Sequence, residues 1–122
     1  MNIYKIVGRT SVDVIKTGGY KVSALDVEKV VISNDFIEDV AVMGLNDAIW
    51  GQRVFALLVI KPEKESEYDE KKFVKWCQQN LPKYSVPTIL RYIEKLPRNQ
   101  LGKVNKKELI NKYNQETLKE KN

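Results

Sequence analysis

Lys103 stands out as a residue that could do chemistry. It closes a Pro-bounded loop, Pro97-Arg98-Asn99-Gln100-Leu101-Gly102, just ahead of a segment with helical spacing. An ammonium there can neutralise charge that builds up in a reaction, or can simply be a solvated surface group. The loop is not a phosphate-binding P-loop, because Pro97 and Val104 stand where that motif needs a glycine and a Ser/Thr. Gly18-Gly19 is a second candidate, since paired glycines permit positive φ or the close approach of something bulky. Arg9, after Gly8, reads as an ordinary salt-bridge residue or an anion contact. Trp50, in a connecting segment, is either a buried anchor or an exposed contact. Cys77 falls on an apolar stripe and reads as inert core. The carboxylate pairs Asp26/Glu28 and Glu38/Asp39 have no neighbours that suggest acid–base work.

Composition removes several kinds of chemistry. The 122 residues are 43% hydrophobic and 30% charged, which suits one soluble globular domain. Histidine is absent and Cys77 is the single cysteine. Ser-His-Asp and Cys-His catalysis, the common zinc sites and an internal disulfide are therefore excluded. An unpaired thiol suits a reducing compartment. No apolar run approaches the roughly 20 residues of a membrane span, and Met1–Lys5 lacks signal-peptide architecture. The net charge of +5 is concentrated late, with six Lys against three Glu in residues 103–122. A basic end suits nucleic acid, an anionic ligand or plain solubility.

The elements that must position these residues follow from periodicity. Alternation predicts short strands over Ile3–Val7, Val12–Ile15 and Tyr20–Val22, with Thr17-Gly18-Gly19 as a turn. Ser23, three residues ahead of Asp26, predicts an N-cap and a helix from Ala24 to about Ser33. Strands are expected at Glu38–Gly44 and Val54–Ile60, the second apolar enough to be buried, joined by a long connection over Leu45–Arg53. Lys61–Asp69 reads as a charged loop. Phe73, Trp76, Cys77 and Leu81 form the inward stripe of a helix ending at Leu81. Thr88–Glu94 reads as a strand, Asn105 to about Tyr113 as a helix, and 114–122 as a frayed basic tail. The fold class is α+β: a small mixed or antiparallel sheet of about three strands plus an N-terminal two-stranded hairpin, packed with about three helices.

Three blocks carry a resemblance. Residues 8–28, from Gly8-Arg9-Thr10-Ser11-Val12-Asp13 through Gly18-Gly19-Tyr20-Lys21 to Glu28, resemble the hinge-and-turn motif of adenylate-forming acyl-CoA synthetases. Asp47–Val54 is similar to the family's loop between two strands, and Pro97–Val104 resembles its last core motif. The resemblance spans about residues 3–113, and its wording is most like the malonyl-CoA synthetase branch. It implies a C-terminal lid domain over 1–113, with a hinge near 10–13 formed by Ser11, Val12 and Asp13. In that family ATP activates a carboxylic acid as an acyl-adenylate, the lid turns, and CoA takes the acyl group. Carried over, Lys103 is the catalytic lysine of adenylation. Arg9 contacts the ribose, Lys21 stands near phosphates, and Gly18 and Gly19 line the CoA tunnel.

The resemblance further implies ATP and CoA as substrates, with Mg2+ accompanying ATP and held largely outside this domain. No resident metal site is expected. The phosphate loop, the acid pocket and the acidic nucleotide motif of the family are missing from the sequence. The expectation is therefore a piece of a larger or split enzyme, inactive without an N-terminal domain, intracellular, and mitochondrial or cytoplasmic. Two alternatives stay open within the superfamily: a lid serving another acid, or one serving a carrier-protein thiol. A small basic nucleic-acid-binding module is the alternative from another class, although no basic stripe with interleaved aromatics supports it. A purely structural interaction domain explains the core pattern but not the joint motifs.

Overall fold

The computed structural model describes residues 12–121, with side chains to Leu118. The strand expected at Ile3–Val7, together with Arg9 and Ser11, lies outside the described residues. Five strands form one sheet: β1 (Val14–Thr17), β2 (Tyr20–Ser23), β3 (Ile37–Asp47), β4 (Gly51–Ile60) and β5 (Ile89–Tyr92). Among the described residues, the helices α1 (Ala24–Val31), α2 (Glu70–Asn80) and α3 (Lys106–Lys121) pack on it.

The α+β class is as expected, but the partition of strands differs. The hairpin β1–β2 is not separate from the main sheet, because Thr17 pairs with Gly51 at the start of β4. β3 and β4 are antiparallel, and β5 lies parallel to β4 through Phe55–Leu58. The β4–β5 connection carries α2 between two short 3-10 turns, Pro62–Glu67 and Lys83–Ser85. The sheet is therefore mixed.

β4 reads as continuously apolar because both of its faces are covered. Val54, Ala56 and Leu58 join Val27 and Val31 of α1 and Phe73 and Cys77 of α2. Phe55, Leu57 and Val59 join Leu96 and Leu109 and Tyr113 of α3. Burial of the Cys77 side chain pushes its thiol up to about 11 from an ordinary value of 9.0, so it is inert core as expected.

Boundaries moved where hydrogen bonding outran hydrophobic pattern. β3 and β4 continue to Asp47 and from Gly51, so the long connection shrinks to a tight turn over residues 48–50. Val12 and Asp13 are helical, not strand. α3 runs eight residues past Tyr113, over the expected frayed tail, and Thr117 Oγ1 donates back to the carbonyls of Tyr113 and Asn114. The Ser23 cap is as expected, with Oγ accepting from Asp26 N at 3.2 Å; α2 is capped by Asp69, whose Oδ1 accepts from Lys71 N at 3.0 Å.

A β-bulge in β3 sets up the site. Ile37 pairs with Ile60 and Asp39 with Val59, leaving Glu38 as the extra residue. The bulge lets Ile37 share a face with Val40 and Val42. Asp39 then falls in step with Ala41, Met43 and Leu45, on the face that α3 covers.

Candidate functional site

The Lys103 loop is a closed hairpin. Arg98 and Val104 form an antiparallel bridge, and Asn99 N donates to Lys103 O at 2.9 Å. Gly102 N donates to Asn99 O at 2.9 Å, and Gly102 has φ +81°, which a residue with a Cβ adopts only under strain. Asn99 Oδ1 accepts from Leu101 N at 2.9 Å and from Lys103 N at 3.0 Å. Arg98 Nη1 donates to Gly102 O at 2.7 Å, while its Nη2 reaches both carboxylate oxygens of Asp39 at 2.8 and 2.7 Å. Lys103 itself is exposed, and among the described residues its ammonium has no ion-pair or hydrogen-bond partner. Leu101, at the loop tip, is 80% exposed.

Beside this loop lies an ion triad. Lys106 Nζ, at the start of α3, stands 2.7 Å from Asp13 Oδ1 and 2.9 Å from Glu28 Oε2. Glu28 Oε2 also accepts from Val42 N at 2.8 Å. The Lys106 side chain is 11% exposed, and the two carboxylates are 21% and 20% exposed. Val12 and Asp13, two of the expected hinge residues, thus border the same cleft as Lys103. The sequence reading set Glu28 aside as an unpartnered carboxylate, and its partner is a lysine far along the chain. Lys112 lies over the Tyr113 ring at 5.2 Å, so the basic end is divided between internal contacts and solvent.

Gly18 and Gly19 are elsewhere. They form the turn of β1–β2, with φ values of +56° and +88°, the two positive angles of a type I′ hairpin. Gly18 N donates to Trp50 O at 2.9 Å, and a Cβ on Gly18 would stand 2.7 Å from the Trp50 ring. A Cβ on Gly19 would meet nothing within 4 Å. Trp50 is 56% exposed, an exposed contact rather than a buried anchor, and Ile49 beside it is 85% exposed. Tyr20 and Tyr84 stack at 4.3 Å and border the same groove. This aromatic rim escaped the sequence reading, since Tyr20 and Tyr84 belong to segments that meet only in the fold. Lys21 is exposed on β2, directly opposite Lys16 of β1. Like charges facing one another across strands disfavour each other unless an anion joins them.

The two clusters occupy opposite ends of β3. Asp39 holds the Lys103 loop, and Asp47 pairs with Gly51, which meets Thr17 beside Gly18. Eight strand steps of about 3.3 Å put the ends about 26 Å apart. Burial, opposed in part by its bond to Tyr92, pushes Tyr68 up to about 12. Tyr92 is pushed far above the usual phenol range by burial and by its bond to Glu70. Among the described residues no three His, Cys, Asp or Glu side chains converge to hold a metal. No described helix is long and apolar enough to cross a membrane.

Residues 26–103 match the family model of the AMP-binding enzyme C-terminal domain. The chain belongs to that family. It is 50% identical over 107 residues to the mitochondrial malonate–CoA ligase ACSF3 of Mus musculus, covering 88% of this chain and 18% of that protein. It is 40% identical over 114 residues to the malonate–CoA ligase of Arabidopsis thaliana, covering 87% and 19%. Among solved structures, a Mycobacterium tuberculosis fatty acyl CoA synthetase aligns with TM-score 0.76 and 33% identity, over 84% of this chain and 20% of that one. ATP-bound MatB from Rhodopseudomonas palustris aligns with TM-score 0.78 and 28% identity, over 85% and 20%. The chain thus spans about a fifth of the length of these relatives.

Proposed function

We propose that the chain is the C-terminal lid, residues 1–113 with a hinge near 10–13, of an ATP-dependent acyl-CoA synthetase. The observation that carries this reading is Lys103: an ammonium with no partner among the described residues, on a preformed, exposed hairpin. A cation fixed in place before the reaction, and dry only once another domain covers it, stabilises charge where it develops. Its role is to meet the carboxylate and α-phosphate oxygens as the acyl-adenylate forms and pyrophosphate leaves. Arg9 contacts the ribose. Lys21 lies near phosphates, a role that its position opposite Lys16 supports. Mg2+ accompanies ATP and is held by the phosphates and the N-terminal domain.

The second half-reaction belongs to the other end of β3. There Gly18 and Gly19 line the path of the CoA thiol, which attacks the acyl carbon and expels AMP. The open space around Gly19 supports this: beyond the positive φ of the turn, its lack of a side chain relieves no contact within the domain. Since about 26 Å separates the two ends, one active site can use both only if the lid turns between half-reactions. Malonate is the acid favoured by the names of the relatives. A mitochondrial or cytoplasmic location accompanies that reading.

The test joins this chain to the large N-terminal domain of such a synthetase and assays each half-reaction. Lys103→Ala should lower ATP–pyrophosphate exchange by about 10²–10³ and leave thioester formation from supplied adenylate intact. Gly19→Leu should do the reverse. Equal loss of both half-reactions in either variant would refute the division of roles. A panel of acids would then decide the substrate.

A further inference from the structure

We infer that Arg98 is a positioning residue for Lys103, setting its direction by fixing the Gly102–Lys103 peptide group. The inference rests on the reading of Lys103 given above. That peptide is held at both ends: its carbonyl accepts from Arg98 Nη1 at 2.7 Å, and its N–H donates to Asn99 Oδ1 at 3.0 Å. Its plane determines where the Lys103 Cα–Cβ bond points.

Gly102 makes the restraint necessary. With φ +81° and no neighbour within 4 Å of a would-be Cβ, Gly102 contributes no side-chain packing that would fix this peptide. Asn99 holds the N–H side of this peptide through Oδ1, which also serves Leu101 N, and its own N–H holds the Lys103 carbonyl at 2.9 Å, but the Gly102 carbonyl is left to Arg98. Arg98 supplies the second restraint and takes its own position from Asp39. Asp39 is fixed in turn, because Oδ1 accepts from Val40 N at 2.9 Å and the bulge at Glu38 turns the residue toward this loop. The chain of restraint therefore runs from the sheet through Asp39 and Arg98 to the peptide that carries Lys103. An ion pair this exposed, 41% and 29%, contributes little to folding. What the geometry supports is placement.

The experiment uses the full enzyme, with this chain joined to its N-terminal domain. Arg98→Ala should lower kcat of adenylation by about 10–100-fold, the cost of misplacing a reacting group by about 1 Å. The KM for ATP and thioester formation from supplied adenylate should stay within about twofold, and guanidinium ion should restore part of the Arg98→Ala rate but none of the Lys103→Ala rate. Asp39→Ala should resemble Arg98→Ala, and the double variant should be no worse than either single one. Apart from activity, the Lys103 amide should exchange its hydrogen at least about tenfold faster in Arg98→Ala. Adenylation at the wild-type rate in Arg98→Ala, with Lys103→Ala dead, would overturn Arg98 alone. A fall in both half-reactions together with the melting temperature would overturn it too, by making the role structural. An active Lys103→Ala would overturn both this inference and the reading beneath it.

Discussion

Lys106→Met removes the centre of the triad while keeping most of its aliphatic stem. Two contacts disappear, at 2.7 Å to Asp13 and 2.9 Å to Glu28, and two carboxylates about four-fifths buried then face each other without a cation. Stranding a fully buried partner costs about 3–5 kcal/mol. Here each carboxylate keeps some water, and Glu28 keeps its bond from Val42 N, so the loss should be about 2–3 kcal/mol. For a domain of this size, that lowers the melting temperature by roughly 6–15 °C. Circular dichroism on heating, with urea titration for the free energy, reads both quantities. Adding Asp13→Asn and Glu28→Gln should recover more than about half of the loss, because no charge is then stranded. A Lys106→Met loss below about 0.5 kcal/mol, the value of an ordinary surface pair, would refute the view that this triad fastens α3 to the segment before β1.

Three further outcomes are expected. Gly18→Ala should shift Trp50 emission to the red, because its Cβ would stand 2.7 Å from the ring; Gly19→Ala, with open space around it, should not. Both variants should lose about 1 kcal/mol or more, from positive φ. Cys77, pushed up to about 11 by burial, should resist alkylation at pH 8 until the domain unfolds. The native state holds the Cys77 proton more tightly than the unfolded chain. Its contribution to stability is therefore complete below about pH 9 and falls as pH rises from about 9 to about 11; unchanged urea midpoints across that window would argue against it. Ser23→Ala should cost about 1 kcal/mol through loss of the α1 cap, read as a lower urea midpoint at constant slope.

What the sequence revealed follows from the range of each signal. The Ser23 cap, the Gly18-Gly19 turn and the Phe73–Leu81 stripe depend on residues within a few positions of one another, and all are found. β4 was legible as buried because its apolar run has no polar face to read otherwise. The long connection over Leu45–Arg53 was misjudged for the opposite reason. Asn46, Asp47, Gln52 and Arg53 are polar, but the ladder Asn46↔Gln52 and Leu45↔Arg53 pairs their backbones regardless of side chain. The bulge at Glu38 was invisible, since one extra residue leaves an apolar run looking the same. The Lys106–Asp13 contact joins residues 93 positions apart, and no local pattern announces it. Lys103 and the glycine pair were singled out from motif wording, and the structure shows where each lies. Their separation, and the contact of Arg98 with Asp39, needed the sheet.

The distance along β3 has a metrological consequence. The ladder from Asp39 to Asp47 is paired to β4 at every step, so it transmits orientation with little bending. A reacting group works only when placed to within about 0.5 Å. At the end of an arm about 26 Å long, that tolerance subtends only about one degree. Under the proposed division of roles, whatever surface receives one end of this domain must therefore set its angle to about a degree for the chemistry at the other. On that proposal, each pose then has to be defined by contact with the surface that receives it. Ile49 and Leu101, 85% and 80% exposed, stand near opposite ends of this arm.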